Sequence, residues 1–338
     1  MQTISPDRVR LTVDEARTLG INALKKTGFD DEQAAVITDH VVDAALCGYE
    51  YSGMPKLLNV IEHPNLRQPR RRLTIVHETP VSAQVDGGNS CGMYALMRAA
   101  EMAIERAQKH GFGVIGMNNS WMSGRGAIFV ETIARAGLIG LHTVSATRYV
   151  APPGAAKAAY GTNPLSFGFP TEGEPFVIDL GTSAFMATDL QFRERRGEPL
   201  PEGVAIDKDG KPTRDAKAAR AGALLAFGGY KGFALAMAAQ AMGVFAHAGS
   251  DQEGNYGYIM IAMKPDLLIP LADYRKQLSA TLARIKATPR QPGVDEIRLP
   301  GERSLRERAQ RLGEGIVIDR FVYEALANAR EGQLPPLG

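Results

Sequence analysis

The chain predicts an α+β fold, a central sheet flanked by helical N- and C-terminal parts. Three observations carry that expectation. The first 47 residues hold two segments whose apolar residues recur at helical spacing. Residues 138–179 switch to short apolar runs (LIGLHTVS, LSFGFP, FVIDL) cut by Pro, Gly and Asn turns, as strands require. Two amphipathic stretches then close the chain as helices.

Residues 12–28 read as a helix: Thr12 and Glu15 make a capping box, Leu19, Ala23 and Leu24 share a face, and Gly28 stops it. A second helix follows Asp30–Asp31 and runs to Cys47, with Ala34, Ile37, Val41 and Ala45 on one side. Residues 48–56 (GYEYSGMPK) break the pattern with two glycines and a proline. Residues 73–85 read as strands, 93–109 as a helix ended by Gly111, 112–118 as a strand and 128–136 as a short helix. After the sheet-like stretch, residues 198–215 form a polar loop with hairpin-like turns. Residues 227–245 (FGGYKGFALAMAAQAMGVF) form a long apolar helix entered through glycines. Residues 258–265 read as a strand, 270–286 as a helix, and about 304–312 and 319–329 as the closing pair.

Composition removes several function classes. Lys and Arg number 39 against 37 Asp and Glu, a formal charge of +2, which gives no polyelectrolyte signature for nucleic acid or membrane. The basic run Arg67–Arg72 holds a proline and no aromatics, so it reads as a solvated turn. Two cysteines, Cys47 and Cys91, make no disulfide framework, and the N-terminus lacks an apolar signal core; a cytoplasmic location is expected. The helix at residues 232–249 is rich in Ala and Gly and holds Gln240, which favours a buried helix over a membrane span.

The common catalytic motifs are absent. No G-x-G-x-x-G follows a strand; Gly124-Arg125-Gly126 is the nearest approach. No P-loop, HExxH, C-x-x-C or nucleophile elbow occurs, and the six histidines lack ligand spacing, so no metal site is expected. What remains is a set of chain bends. Lys231 sits among Gly228, Gly229 and Gly232 at a helix start, where a cation and unpaired N–H groups suit an anion such as a cofactor phosphate. Gly161–Pro164, Asp179–Ser183 and Leu299–Arg303 each offer hydroxyls, backbone N–H groups or an arginine at a turn.

In this order, "GTNPLSFGFP", "VIDLGTS", "LPEGVAIDKDGKPTRD", "FGGYKGFALAM" and "LPGER" resemble the malate/L-lactate dehydrogenase family with the sulfolactate-dehydrogenase-like fold. The resemblance implies a homodimer that binds NAD or NADP on a sheet domain unlike the Rossmann fold, which fits the missing glycine fingerprint. It implies a helical part at 1–70 packed with C-terminal helices at 300–338, a small part at 71–115 and the cofactor domain at 116–299. It also implies a cofactor site at Asp179, Thr182, Ser183, Tyr230, Lys231, Gly232, Gly301, Glu302 and Arg303, and Thr162 near a small carboxylate substrate.

Two departures bear on the reaction. The family's "SHGvxR" is replaced by Tyr51-Ser52-Gly53-Met54-Pro55-Lys56, putting Ser52 for the histidine and Lys56 for the arginine. Its "NSxHFG" is replaced by Asn119–Gly124, with Met122 for the second histidine. Both family proton donors are therefore gone. Reduction of a 2-oxo acid needs hydride at carbon and a proton on oxygen, and a tuned histidine contributes roughly 10²–10⁴-fold to such a transfer. A cyclic ketimine arrives with its nitrogen already protonated, so the pattern favours imine reduction. A 2-hydroxy acid dehydrogenase and a catalytically degenerate paralogue are the alternatives. Ser52 is the candidate relay, Lys56 a catalytic and substrate-binding cation with looser aim than arginine, and Met122, beside Trp121, a pocket wall. Arg193, Arg195 and Arg196 read equally as a site for a 2′-phosphate and as a charged loop face.

Overall fold

The computed structural model of the protein describes residues 5–250 and 255–333. Strand β1 (Arg8–Leu11) opens the chain and pairs antiparallel with the last strand, β11 (Ile316–Asp319), so both ends lie together. Helix α1 (Val13–Lys26) starts with the expected capping box, Thr12 and Glu15 exchanging bonds with each other's backbone N–H. Helix α2 (Asp31–Leu46) is capped by Asp30. The glycine-rich break that follows leads into an unexpected short helix, α3 (Pro55–Ile61), where Pro55 occupies the first turn that tolerates it. These elements and helix α11 (Arg320–Arg330) share one core of Leu24, Ile37, Met54, Leu57 and Leu326.

A seven-stranded sheet follows. Its strands are β2 (Thr74–Thr79), β3 (Ser82–Cys91), β4 (Phe112–Trp121), β5 (Ile139–Ser145), β6 (Leu165–Phe169), β7 (Phe176–Leu180) and β10 (Gly257–Met263), in the order β2-β3-β4-β10-β5-β6-β7. Only β3 and β4 run parallel, joined by helix α4 (Gly92–His110), which ends at Gly111 in the left-handed conformation. Helix α5 (Ala127–Arg135) packs on β5 and β6 so closely that a Cβ at Gly168 would meet the Val130 carbonyl at 2.1 Å.

Past the sheet edge come helix α6 (Ala187–Arg196), the pair β8 (Ala205–Ile206) and β9 (Ala223–Leu224), and helix α7 (Ala216–Ala221). The apolar helix α8 (Tyr230–Phe245) is buried along one face only, a correction to the expectation of a buried helix. Its inner face carries Gly232, Ala236, Ala239 and Gly243, small residues that let it sit against β5 and β10. Its longer side chains, Leu235, Val244 and Phe245, point outward and are exposed. Gln240, odd in an apolar helix, meets the Nδ2 of buried Asn163 at 2.8 Å. Helices α9 (Leu271–Lys286) and α10 (Glu302–Glu314) complete the chain. Among the described residues no helix is long and apolar enough to cross a membrane.

Candidate functional site

Ser52, Lys56, Met122 and Thr162, far apart in sequence, line one cavity of ≈ 290 Å³. Ser52 comes from the bend before α3 and Lys56 from its first turn, while Met122 leaves the end of β4. Met122 holds φ = 58°, a conformation uncommon outside glycine, which turns the chain sharply beside the cavity. Thr162 precedes Asn163, whose side chain receives the Ala146 N–H and donates to the Ala236 carbonyl, tying this turn to α8. The cavity also takes Tyr49, Arg125, Asp179, Ser183 and the start of α6. Helix α6, unexpected from the sequence, is held near by Phe192 stacked on Tyr51 at 3.5 Å.

A second cavity of ≈ 280 Å³ adjoins the first across Tyr49, Arg125 and Asp179, and reaches Gly301 and Arg308. A wider groove of ≈ 740 Å³ lies between α3, α6 and α11 but holds none of the expected site residues. It offers four carboxylates (Asp7, Glu62, Asp319, Glu324) against one arginine, Arg320, a poor host for an anion.

Arg125 is the residue that sequence reading missed, seen there only as the middle of an incomplete glycine motif. Its backbone N–H donates to His40 Nε2 at 2.8 Å, and its guanidinium pairs with Asp43 at 2.8 Å. The Tyr49 ring receives two guanidiniums, Arg125 at 5.1 Å and Arg303 at 4.8 Å from its centroid. His40 is sealed behind the loop: a Cβ at Gly124 would lie 2.2 Å from its Nε2. Burial, with Arg125 and Lys56 nearby, lowers the His40 pKa to about 3, so the ring is neutral at physiological pH. Burial likewise lowers the Lys56 ammonium below the ordinary lysine value, and no hydrogen bond or ion pair joins it to a described residue.

Several expected cofactor residues are engaged within the chain. Asp179 accepts from the Ala127 N–H at the start of α5 and from Ser166 Oγ at 2.8 Å. Thr182 Oγ1 donates to the Thr162 carbonyl at 3.0 Å, and Ser183 Oγ to the Phe185 carbonyl at 2.7 Å. Glu302 accepts from the Leu299 N–H and pairs with Lys286. The segment 182–184 pairs with 225–227, which brings the α8 entrance beside Asp179–Ser183. Gly228 and Gly229 have positive φ, and a Cβ at either would meet nothing within 4 Å. Together with exposed Tyr230 and Lys231, this open bend is a cradle that fits a nucleotide phosphate. Gly301 sits against β7, where a Cβ would approach the Val177 carbonyl at 2.8 Å. Neither Tyr230 nor Lys231 lines the Ser52–Lys56 cavity.

Trp121 does not wall the cavity. It is 1% exposed, stacks on His63 at 4.3 Å and donates to the Asn89 carbonyl, which makes it core. His142 is buried on the Ile259 carbonyl. Arg193 bonds the Pro199 carbonyl and Arg196 pairs with Glu198; the Arg195 side chain lies outside the described residues. Among the described residues no group of His, Cys, Asp or Glu is arranged to hold a metal ion.

The protein is a mixed-sheet α+β body in which a cavity lined by Lys56 and Arg125 lies near the glycine bend at the entrance of α8. The chain belongs to the malate/L-lactate dehydrogenase family, whose profile matches residues 11–327. It is 30% identical over 329 residues to the L-sulfolactate dehydrogenase of Methanocaldococcus jannaschii, covering 94% of this chain and 95% of that protein. It is also 30% identical over 339 residues to the Δ1-pyrroline-2-carboxylate/Δ1-piperideine-2-carboxylate reductase of Pseudomonas aeruginosa, covering 94% and 98%. The solved structure of the M. jannaschii sulfolactate dehydrogenase superposes with a TM-score of 0.85 at 28% identity, covering 96% and 98% of the two chains. The expected family and fold are borne out, and the protein is an oxidoreductase.

Proposed function

We propose that the protein moves hydride between a nicotinamide cofactor, NAD or NADP, and C2 of a small 2-imino or 2-oxo carboxylate, with cyclic ketimines preferred. The observation that carries this reading is the cavity itself: two cations, Lys56 and Arg125, line it, and no histidine does. The cationic side receives the carboxylate, Thr162 and Met122 shape the rest, and Ser52 relays protons between water and the cavity. Asp179–Ser183, Tyr230–Gly232 and Gly301–Arg303 hold the cofactor, which when bound supplies the hydride. Most of their side chains serve the chain internally, so backbone N–H groups and Lys231 carry the recognition. The exposed apolar residues of α8 support assembly as a homodimer, which light scattering tests.

The relatives named for sulfolactate and malate support a second reading, a 2-hydroxy acid dehydrogenase. Loss of NADH or NADPH absorbance with pyruvate, 2-oxoglutarate, Δ1-pyrroline-2-carboxylate and Δ1-piperideine-2-carboxylate separates the two. Faster turnover of the cyclic imines than of the keto acids is expected. Equal turnover of the keto acids overturns the preference, and silence with cofactor still bound leaves a degenerate paralogue.

A further inference from the structure

Resting on that reading, we propose that the two cavity cations divide the work: Arg125 anchors the substrate carboxylate, and Lys56 is the acid that protonates the reduced atom. The cavity offers few other groups. Ser52 is a poor acid, and Met122 and Thr162 do not ionise near neutrality. Asp179 is taken up as an acceptor, with Ala127 N–H and Ser166 Oγ donating to it. The Tyr49 hydroxyl is turned to Ser304 Oγ, 3.4 Å away on α10. Arg125 cannot release a proton. It is oriented by Asp43 and the Tyr49 ring, the posture of a fixed fork for a carboxylate.

Lys56 has the opposite character. It faces the cavity without an ion pair to any described carboxylate, and burial disfavours its charged form. The groups that sense it from the surrounding elements do not hold its proton. The Cys91 thiol, at the end of β3, is pushed by burial up to about 12 and stays neutral. His40 on α2 and His63 beyond α3 are both lowered by burial and by Lys56 itself, and stay neutral too. Arg125 and Asp179, on the same cavity, contribute opposite charges. Such an amine changes protonation state far more readily than an exposed lysine. As hydride reaches C2 and the carbonyl π pair moves to oxygen, the Lys56 N–H bond breaks and its proton goes to that oxygen. The hydroxy acid and a neutral amine result, and water re-protonates the amine. A ketimine that arrives protonated skips this step.

The Lys56→Arg variant separates the two roles, because arginine keeps the charge and cannot act as the acid. Reduction of whichever keto acid the wild type turns over should fall roughly 10²–10⁴-fold in kcat. Cofactor binding by fluorescence should stay within twofold, and ketimine reduction at acidic pH should fall at least tenfold less than keto-acid reduction. Arg125→Lys should mainly raise KM. Independently of turnover, competitive acetylation of the wild-type chain read by mass spectrometry should give Lys56 a labelling midpoint at least one pH unit below the exposed lysines. Keto-acid kcat within fivefold of wild type in Lys56→Arg overturns the proposal, as does an ordinary labelling midpoint, which holds even where the variant fails to fold. Wild-type silence toward every acid overturns the preceding functional reading instead, and the labelling midpoint still decides the state of Lys56.

Discussion

Replacing Arg308 by Met tests how α10 is held to the site. Arg308 makes two bonds to Glu131, at 2.6 and 2.8 Å, and one ion pair to Asp43 at 2.8 Å. All three side chains are largely shielded, at 17%, 9% and 19% exposure. Removing one member of a buried pair costs about 3–5 kcal/mol when the other charge is orphaned. Here each carboxylate keeps one partner, Glu131 with Arg135 and Asp43 with Arg125. The lower end, about 3 kcal/mol, is therefore expected. At ~2 °C per kcal/mol for a chain of this size, the thermal midpoint should fall by about 6 °C by circular dichroism at pH 7. Burial raises the Glu131 pKa, but the bonds from Arg308 and Arg135 outweigh it and hold the carboxyl below its ordinary value. Its contribution is then complete above the ordinary carboxylate range and lost as pH falls through the lowered value. The gap between Arg308→Met and wild type should narrow toward acid pH. The double variant Arg308→Met with Glu131→Gln should show a coupling of at least ~1 kcal/mol. A midpoint shift under about 2 °C, or no coupling, refutes the argument that this cluster fixes α10 and the Gly301 turn at its start.

Lys231→Ala should weaken NAD(P)H binding by more than tenfold in a fluorescence titration while leaving the thermal midpoint unchanged, because Lys231 is exposed on the first turn of α8; unchanged affinity would remove the phosphate-cradle argument. Acid should destabilise the fold through His40. Its folded pKa of about 3 lies below the ordinary value of 6.5, so the unfolded chain binds the extra proton and stability falls as pH drops between those values. The full difference is on the order of 3–5 kcal/mol. His40→Gln should flatten the denaturation midpoint between pH 6.5 and 4, and an unaltered slope would count against a neutral buried ring.

Local signals made most of the fold legible. The Thr12–Glu15 box, the Gly111 stop and the short apolar runs of β5–β7 are written in neighbouring residues, and the structure follows them. What escaped was decided by distant partners. Strands β1 and β11 are four residues each and exist because they pair with one another from opposite ends of the chain. Helix α6 carries a polar sequence (ATDLQFRERR) with a weak apolar face, and one aromatic stack ties it to the bend at Tyr51. Helix α8 reads as buried because its composition is apolar, yet composition cannot say which side a sheet covers. Its small residues do, once β5 and β10 are in place.

The site divides the same way. The loss of two histidines is visible in the linear text, since Ser52 and Met122 stand where a pattern is broken. Compensation is not visible there, because it depends on what a folded cavity withholds. Lys56 reads in sequence as a substrate-binding cation in the place of the family's arginine. In the fold it is half-buried on the cavity and forms no ion pair with a described carboxylate, and the burial that disfavours its charge suits a proton donor. Arg125 likewise reads as a charged filler between glycines until Asp43, His40 and Tyr49 converge on it from residues 82, 85 and 76 positions earlier in the chain. A histidine at position 52 or 122 would stand in the same cavity as these two cations and add a second titratable base beside Lys56. The chain has instead kept the cations of the cavity to one fixed and one labile, an arrangement that makes the protonation state of Lys56 the variable on which keto-acid turnover depends.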